Sequence, residues 1–259
     1  HKLRAKVNGW VQKATLLDRE CTREASYRAA SSLIGGPPPR IAEHWREDAA
    51  FGRARLQGVN PMQIRHADTL GRPMDDALVA AAREVLVDRG ESWAHHKDRL
   101  FVCDYSALIQ SEIQSQVKEG LSLAAPTAVF AVDPQQRLMP LAIRLMPADW
   151  SGENPVYTPQ QDPIRWLFAR GHCQAADAHF HEGTWHLGET HLVSETIAIC
   201  AYRQLHADHP ISQLLAPHFE YNLAIDWTAR HNLMTIGGPI DSVLASGIGG
   251  ALDLARGLY

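Results

Sequence analysis

The stretch His181-Glu182-Gly183-Thr184-Trp185-His186-Leu187-Gly188-Glu189-Thr190-His191 decides how this chain is read. Its first residues look like the HExxH motif of zinc proteases, which needs histidines at i and i+4 so that both reach one helix face. Here the spacing is i and i+5. In a regular α-helix that sets two side chains about 140° apart around the axis, too far to grip one ion. A π-type turn, closed by i→i+5 hydrogen bonds, returns them to a common face, and such turns are rare and frequent at functional sites. Spacing alone leaves two readings open: metal ligation through a special helix, or helix histidines bonded to carbonyls. Histidine is also crowded, with nine of the chain's 14 between His172 and His231. Imidazole is the commonest metal ligand, so the crowding points toward a metal site.

Outward from this stretch the pattern is mostly helical. Asp162-Pro163 opens a long helix, with Asp as N-cap and Pro at the first helical position. Gly188 is a suitable C-terminal stop, a second helix spans about Thr190 to Leu205, and Pro210 begins another. Ser212 to Met234 reads as helix, and the glycine-rich end from Gly237 reads as irregular. Upstream, residues 1 to about 33 read as helix, ended by Gly35-Gly36-Pro37-Pro38-Pro39. Trp45 to Leu56 is a short helix with Trp45, Ala49 and Leu56 inward, stopped by Gly58-Val59-Asn60-Pro61. Asp75 to Arg89 is amphipathic, with Ala77, Leu78, Ala81 and Val85 on one side. Leu100 to Cys103 is a strand candidate. Thr127 to Val132 and Leu138 to Leu145 flank the turn Asp133-Pro134-Gln135-Gln136 as a β-hairpin, and Trp150 to Gln161 reads as a loop. The fold class expected is mainly α with a small β-hairpin insert, residues 100–146, in one domain over 1–259.

Composition excludes several classes. The formal charge is −4, and no basic stretch is present to neutralise phosphates, so nucleic acid is not expected as a partner. No apolar run approaches the length of a membrane span. No signal peptide is read, although His1 rather than Met stands first, and a soluble protein, cytoplasmic or secreted, is expected. Cys21, Cys103, Cys173 and Cys200 form no CxxC pair, which argues against a cysteine zinc site and for buried small apolar residues.

The residues around the histidines carry a specific resemblance. Asp177, His181, His186, Thr190-His191-Leu192-Val193-Ser194-Glu195, Arg203-Gln204-Leu205, His209-Pro210 and Leu214-Leu215-Ala216-Pro217-His218 strongly resemble the lipoxygenase core. Trp45, Asp48, Phe51, Leu56, Gly58, Asn60 and Pro61 are similar to that family's opening motif. Asp104-Tyr105, Ala125-Pro126, Phe130, Asp133 and Leu138 to Ile143 resemble its β-rich insert. Trp166, Ala169 and Arg170 resemble the start of its metal-bearing helix. The resemblance runs in order over about residues 40 to 259.

It implies a partial lipoxygenase-like helical catalytic domain holding non-haem iron, a metal suited by mixed imidazole and carboxylate ligands. It implies His181 and His186 as iron ligands, His191 as a residue that orients them, and Ala224 as the small residue that influences stereochemistry. Asp226 departs from the Asn common at its place. The implied reaction joins O2 to a polyunsaturated fatty acid at a 1,4-diene, giving a hydroperoxide. The chemistry sits at iron, so no side chain is needed as catalytic acid or base, and Glu182 and Glu189 read as solvent-facing charges. The family's later ligands, a third His, an Asn or His and a terminal Ile carboxylate, find no counterpart here. A split or cleaved enzyme is therefore expected, in which a complementary chain supplies them as a heterodimer. A metal-free lipid-binding or interaction module is the alternative from another class, and a two-histidine zinc hydrolase a further one.

Overall fold

The computed structural model describes residues 41–147 and 151–257. The expected N-terminal helix and its Gly/Pro stop lie outside the described residues, as do Trp150, Leu258 and Tyr259. The chain divides into two units at Ala50/Phe51. The described part of the first holds α1 (Ile41–His44), whose His44 Nδ1 meets Glu47 at 2.7 Å, and the start of α2 (Asp48–Gln57).

In the second unit the centre is a sheet. Strands β1 (Ile64–His66), β2 (Phe101–Asp104), β3 (Thr127–Val132), β4 (Leu138–Arg144) and β5 (Val156–Tyr157) pair antiparallel in sequence order. The expected hairpin is β3–β4, with Val132 opposite Leu138. The sheet is broader than that hairpin: β1 and β5 are two or three residues long and too short to show a period-2 pattern. Pro140 lies inside β4 and cannot donate to the ladder, and the register shifts opposite it, between Val129 and Phe130. The Asp133 carboxylate closes the hairpin. It accepts from the Arg137 backbone N–H (2.8 Å) and Nε (2.9 Å), and Gln136 takes a φ of 60°.

Both faces of the sheet are covered. On one face Leu78, Ala82, Val85 and Leu86 of α3 (Asp76–Asp88) pack on Val129, Ala131, Leu141 and Ala142. The buried stripe is turned from the one expected: Ala77 is exposed, and Ala82 and Leu86 face inward. Asp75 caps α3 by accepting from Ala77 N at 2.9 Å. On the other face Ala128, Phe130 and Ile143 pack on Trp166, Ala169, Cys173 and Ala176. Those four residues belong to a helix that follows α4 (Trp93–His96) and α5 (Ser111–Gln114) in the chain: α6, Pro163–Phe180, capped by Asp162 as its sequence predicts. In α2 the inward residues are Phe51 and Arg55, while Trp45 and Leu56 are exposed.

The helical run does not stop at Gly188. α6 passes into a π-helix over His181–Leu192 and then into α7 (Val193–Gln204). The expected helix from Ser212 to Met234 is broken. α8 (Pro210–Leu215) and a 3₁₀ turn precede Tyr221, whose φ of 62° is left-handed, and α9 (Asn222–Asn232) starts after it. The glycine-rich end is helical: α10 (Pro239–Val243) and α11 (Gly247–Arg256). Cys103 and Cys173 are buried as expected, but Cys200 is exposed. No helix among the described residues is long and apolar enough to cross a membrane.

Candidate functional site

The π-helix is held from two sides and by a bond of its own. At Gly183 an added Cβ would sit 2.8 Å from Leu254 Cβ and 2.9 Å from the Ala251 carbonyl oxygen, so only glycine lets α11 approach this closely. This contact gives the glycine-rich segment a helical partner. Trp185 Nε1 donates to Gln63 Oε1 at 3.2 Å, and Gln63 Nε2 in turn reaches the Asp104 carbonyl at 2.5 Å. Thr190 Oγ1 donates to the Trp185 carbonyl at 2.8 Å, an i→i+5 contact on a carbonyl that widened turns leave accessible.

Just before the π segment a buried polar network fixes α6. Arg55 Nη1 and Asp177 Oδ2 pair at 2.9 Å with their side chains 1% and 3% exposed. Asp177 Oδ1 also accepts from Tyr105 OH (2.6 Å) and Asn60 Nδ2 (3.0 Å), and Arg55 donates to Gln174. Burial pushes the Cys103 thiol up to about 12. Sequence reading saw Asp177, Asn60 and Tyr105 only as pieces of a resemblance and missed Arg55. The signal was an arginine on the same α2 face as Phe51, where a solvated charge is the ordinary expectation. His179 is a further clamp. Nδ1 meets the Ala175 carbonyl at 2.9 Å, Nε2 accepts from Ala245 N at 2.9 Å, and burial lowers its pKa.

The i+5 spacing places His181, His186 and His191 in one column on the π-helix, but the three do not behave alike. The rings of His181 and His186 stack nearly parallel, with centroids 5.4 Å apart and 9° between their planes. His186 and His191 instead turn their Nε2 atoms toward each other at 3.1 Å. Each far nitrogen meets a carboxylate: His186 Nδ1 lies 3.1 Å from Glu182 Oε2, and His191 Nδ1 lies 2.5 Å from Asp226 Oδ1. Glu182 is thus half-buried and engaged rather than solvent-facing, while Glu189 is exposed as expected. Asp226 comes from α9, 35 residues on, and is 3% exposed. Among the described residues no three His, Cys, Asp or Glu side chains gather in a set that could hold a metal ion.

Beside His186 and His191 opens a cavity of about 360 Å³, walled mainly by apolar side chains such as Leu187, Leu192, Leu233, Met234 and Ile248. Ala224 is exposed and does not line it; Ala229 on the same helix does. Arg230 also borders the cavity, but its guanidinium grips both oxygens of Glu195 at 2.6 and 2.5 Å. That pairing holds the Glu195 carboxyl below its usual range. His209 and His206 play local structural parts: their Nδ1 atoms accept from Ile211 N (3.2 Å) and Asp208 N (3.3 Å).

A family model, Lipoxygenase, matches residues 6–255. The chain belongs to the lipoxygenase family. It is 33% identical over 223 residues to the polyunsaturated fatty acid lipoxygenase ALOX15 of Mus musculus, a match covering 84% of this chain and 32% of that protein. It is 31% identical over 226 residues to the epidermal-type polyunsaturated fatty acid (12S)/(13S)-lipoxygenase of the same species, covering 85% and 33%. Among solved structures, a calcium-dependent 11R-lipoxygenase superposes with a TM-score of 0.78 at 29% identity, covering 92% of this chain and 35% of that one. A lipoxygenase crystallised with arachidonate gives 0.81 at 28% identity, covering 98% and 38%. The chain therefore spans about a third of the length of the curated lipoxygenases it matches. With this family shown, the mainly helical fold around a small antiparallel sheet is that of part of a lipoxygenase, and the two-histidine zinc hydrolase has no support.

Proposed function

We propose that this lipoxygenase-family chain carries the histidine face of a non-haem iron dioxygenase that joins O2 to a polyunsaturated fatty acid at a 1,4-diene, forming a hydroperoxide. The observation that carries the reading is the 3.1 Å approach of His186 Nε2 to His191 Nε2, with a carboxylate behind each ring. Two imidazole nitrogens bound side by side to one ion, each roughly 2.1 Å from it, lie about 3 Å apart. Carboxylate–histidine pairs fix the tautomer and aim of metal-binding rings, and mixed nitrogen and oxygen donors suit iron. On this reading His186 and His191 are the ligands. His181, which the resemblance paired with His186, stacks behind as a ring that limits His186 rotation.

A redox-active iron of this kind is normally held by at least three protein ligands. The remaining ligands would come from complementary polypeptide, continuing this chain or carried by a second one. Such polypeptide would be bound through the apolar helix faces this chain exposes, among them Leu214, Trp227 and Ile236. Bound iron would supply the one-electron oxidation that removes a hydrogen atom from the bisallylic CH2. The residues of this chain do the positioning. The apolar cavity walls exclude water and hold the acyl chain beside His186 and His191. Arg230 is committed to Glu195, so depth and shape rather than a carboxylate anchor would set which carbon is presented. The small residue that shapes this wall is Ala229, in place of Ala224.

The test is metal analysis and O2 uptake with linoleate on the protein as isolated. About one iron per particle is expected, with His186→Ala and His191→Ala each losing iron and O2 uptake and His181→Ala keeping most of both. Iron retained by His191→Ala and lost by His181→Ala would restore the other pairing. A particle that binds linoleate, holds no iron and consumes no O2 is the lipid-binding module instead. On a denaturing gel, iron-bearing active protein showing a single band at the 28.7 kDa of this chain would sink the need for complementary polypeptide.

A further inference from the structure

We infer that Asp226 is a positioning residue of the metal site: its buried carboxylate holds His191 with Nε2 aimed at the ion and adds negative charge that tightens metal binding. The inference rests on the metal reading proposed for His186 and His191.

Four observations carry it. Asp226 Oδ1 is 2.5 Å from His191 Nδ1, so that nitrogen carries the proton and Nε2 is the one turned to His186. Asp226 is 3% exposed, and its second oxygen, Oδ2, is buried with no hydrogen-bond partner among the described residues. A buried carboxylate left half-satisfied is costly unless positive charge lies near it. Arg230, one turn further along α9, spends its guanidinium on both oxygens of Glu195. The charge of Arg230 reaches Asp226 only through space, and a cation on His191 Nε2, one imidazole away, adds positive charge on the side of Asp226 that its hydrogen bond faces.

The second carboxylate of the site is built differently. Glu182 is a helical neighbour of His186, with its side chain 25% exposed and His186 44% exposed. Water screens that pair, and its geometry follows from the helix alone. Asp226 reaches His191 from another helix and is itself 3% exposed, so it sets the ring's aim from outside the π-helix. An asparagine of the same shape keeps the hydrogen-bond acceptor and removes the charge. The inference therefore separates charge from shape.

The experiment titrates the metal-stripped protein with Co²⁺ in competition with a chromogenic chelator, for the parent, Asp226→Asn, Asp226→Glu and Glu182→Gln. Asp226→Asn should weaken Co²⁺ binding ten- to a hundredfold, the range usual for a residue that orients a ligand. Asp226→Glu should recover most of that loss, and Glu182→Gln should lose less than Asp226→Asn. Nitrogen NMR of the His191 ring in the metal-free parent gives a readout independent of any variant: Nδ1 must bear a proton, and a bare Nδ1 overturns the inference even where Asp226→Asn fails to fold. Tight parent binding that Asp226→Asn leaves within twofold overturns this inference alone. A parent protein that takes up no Co²⁺ overturns the metal reading together with it.

Discussion

Around the sheet, every residue of β3 from Ala128 to Ala131 and of β4 from Pro140 to Ile143 is buried, with α3 on one face and α6 on the other. The helices that follow the histidines are built otherwise. Ile197, Tyr202, Ile211, Leu214, Trp227 and Ile236 all stand exposed on or between α7, α8, α9 and α10. The first region is a closed core whose stability comes from burial on both faces of a sheet. The second leaves large apolar side chains in water, the pattern expected where the proposed complementary polypeptide would bind. The histidine column runs along the seam between them. On the proposed reading, one side of the iron site is set by the core, and the other is completed where complementary polypeptide meets the outer helices.

The sharpest way to break the closed region is at its buried ion pair. Asp177→Ala leaves the Arg55 guanidinium 1% exposed without its carboxylate, and an uncompensated buried charge costs about 3–5 kcal/mol. Urea denaturation should show that loss, and a change under 1 kcal/mol would mean that the pair does not anchor α6. Next is the seam. Gly183→Ala brings a methyl to 2.8 Å from Leu254 Cβ, an overpacking cost of about 1–3 kcal/mol, offset by about 1 kcal/mol of better helix propensity. Its thermal midpoint should drop by a few degrees, and the Co²⁺ affinity should fall with it. An unchanged midpoint would show that α11 can back away.

A smaller effect is expected at the hairpin tip, where pH supplies the readout. Burial alone would raise the Asp133 carboxyl, but the hydrogen bonds and charge of Arg137 outweigh it and hold the pKa below 3.8. A carboxyl depressed in the folded state adds stability above its unfolded value and loses it as pH falls through the folded one. Asp133→Asn should therefore cost about 1–2 kcal/mol at pH 7 and flatten the acid limb of stability below pH 4. An acid limb identical to the parent's would assign that loss to other carboxylates. Smallest of all for stability are Leu214→Ser and Ile236→Ser, at 66% and 93% exposure, expected within about 0.5 kcal/mol of the parent. Where the proposed complementary polypeptide is a second chain, the same changes should abolish its retention in co-purification. Full retention would argue that these faces are ordinary surface.

Much of the closed region was legible from sequence because its cues are local. Asp75 and Asp162 announce their helices, and Asp133 to Gln136 announces a turn between two apolar runs. What stayed hidden depends on contacts distant in sequence. The stop expected at Gly188 fails because the run continues through π turns that pack on α11, and the glycine-rich end that forms α11 reads as irregular until its contact with Gly183 is seen. The histidines show the limit most clearly. His181 with His186 and His186 with His191 have the same i+5 spacing, so no periodicity can rank one pair above the other. The pairs are separated by Asp226, 35 residues away from His191, and no local pattern links the two.

The π-helix also sets a rule for how this segment can change over generations. Between His186 and His191 lie four residues, Leu187, Gly188, Glu189 and Thr190. Exposed Glu189 can be exchanged one codon at a time while the turn keeps its width. Losing a single codon there is different: it converts i+5 into i+4, the spacing at which an ordinary α-helix already aligns two histidines. The deleted form would have no need of the wide turn, and the residues after the deletion would rotate by about 100° against Gly183 and Trp185, which are held on α11 and Gln63. Glu189 is thus expected to drift freely in identity, and the stretch hardly at all in length.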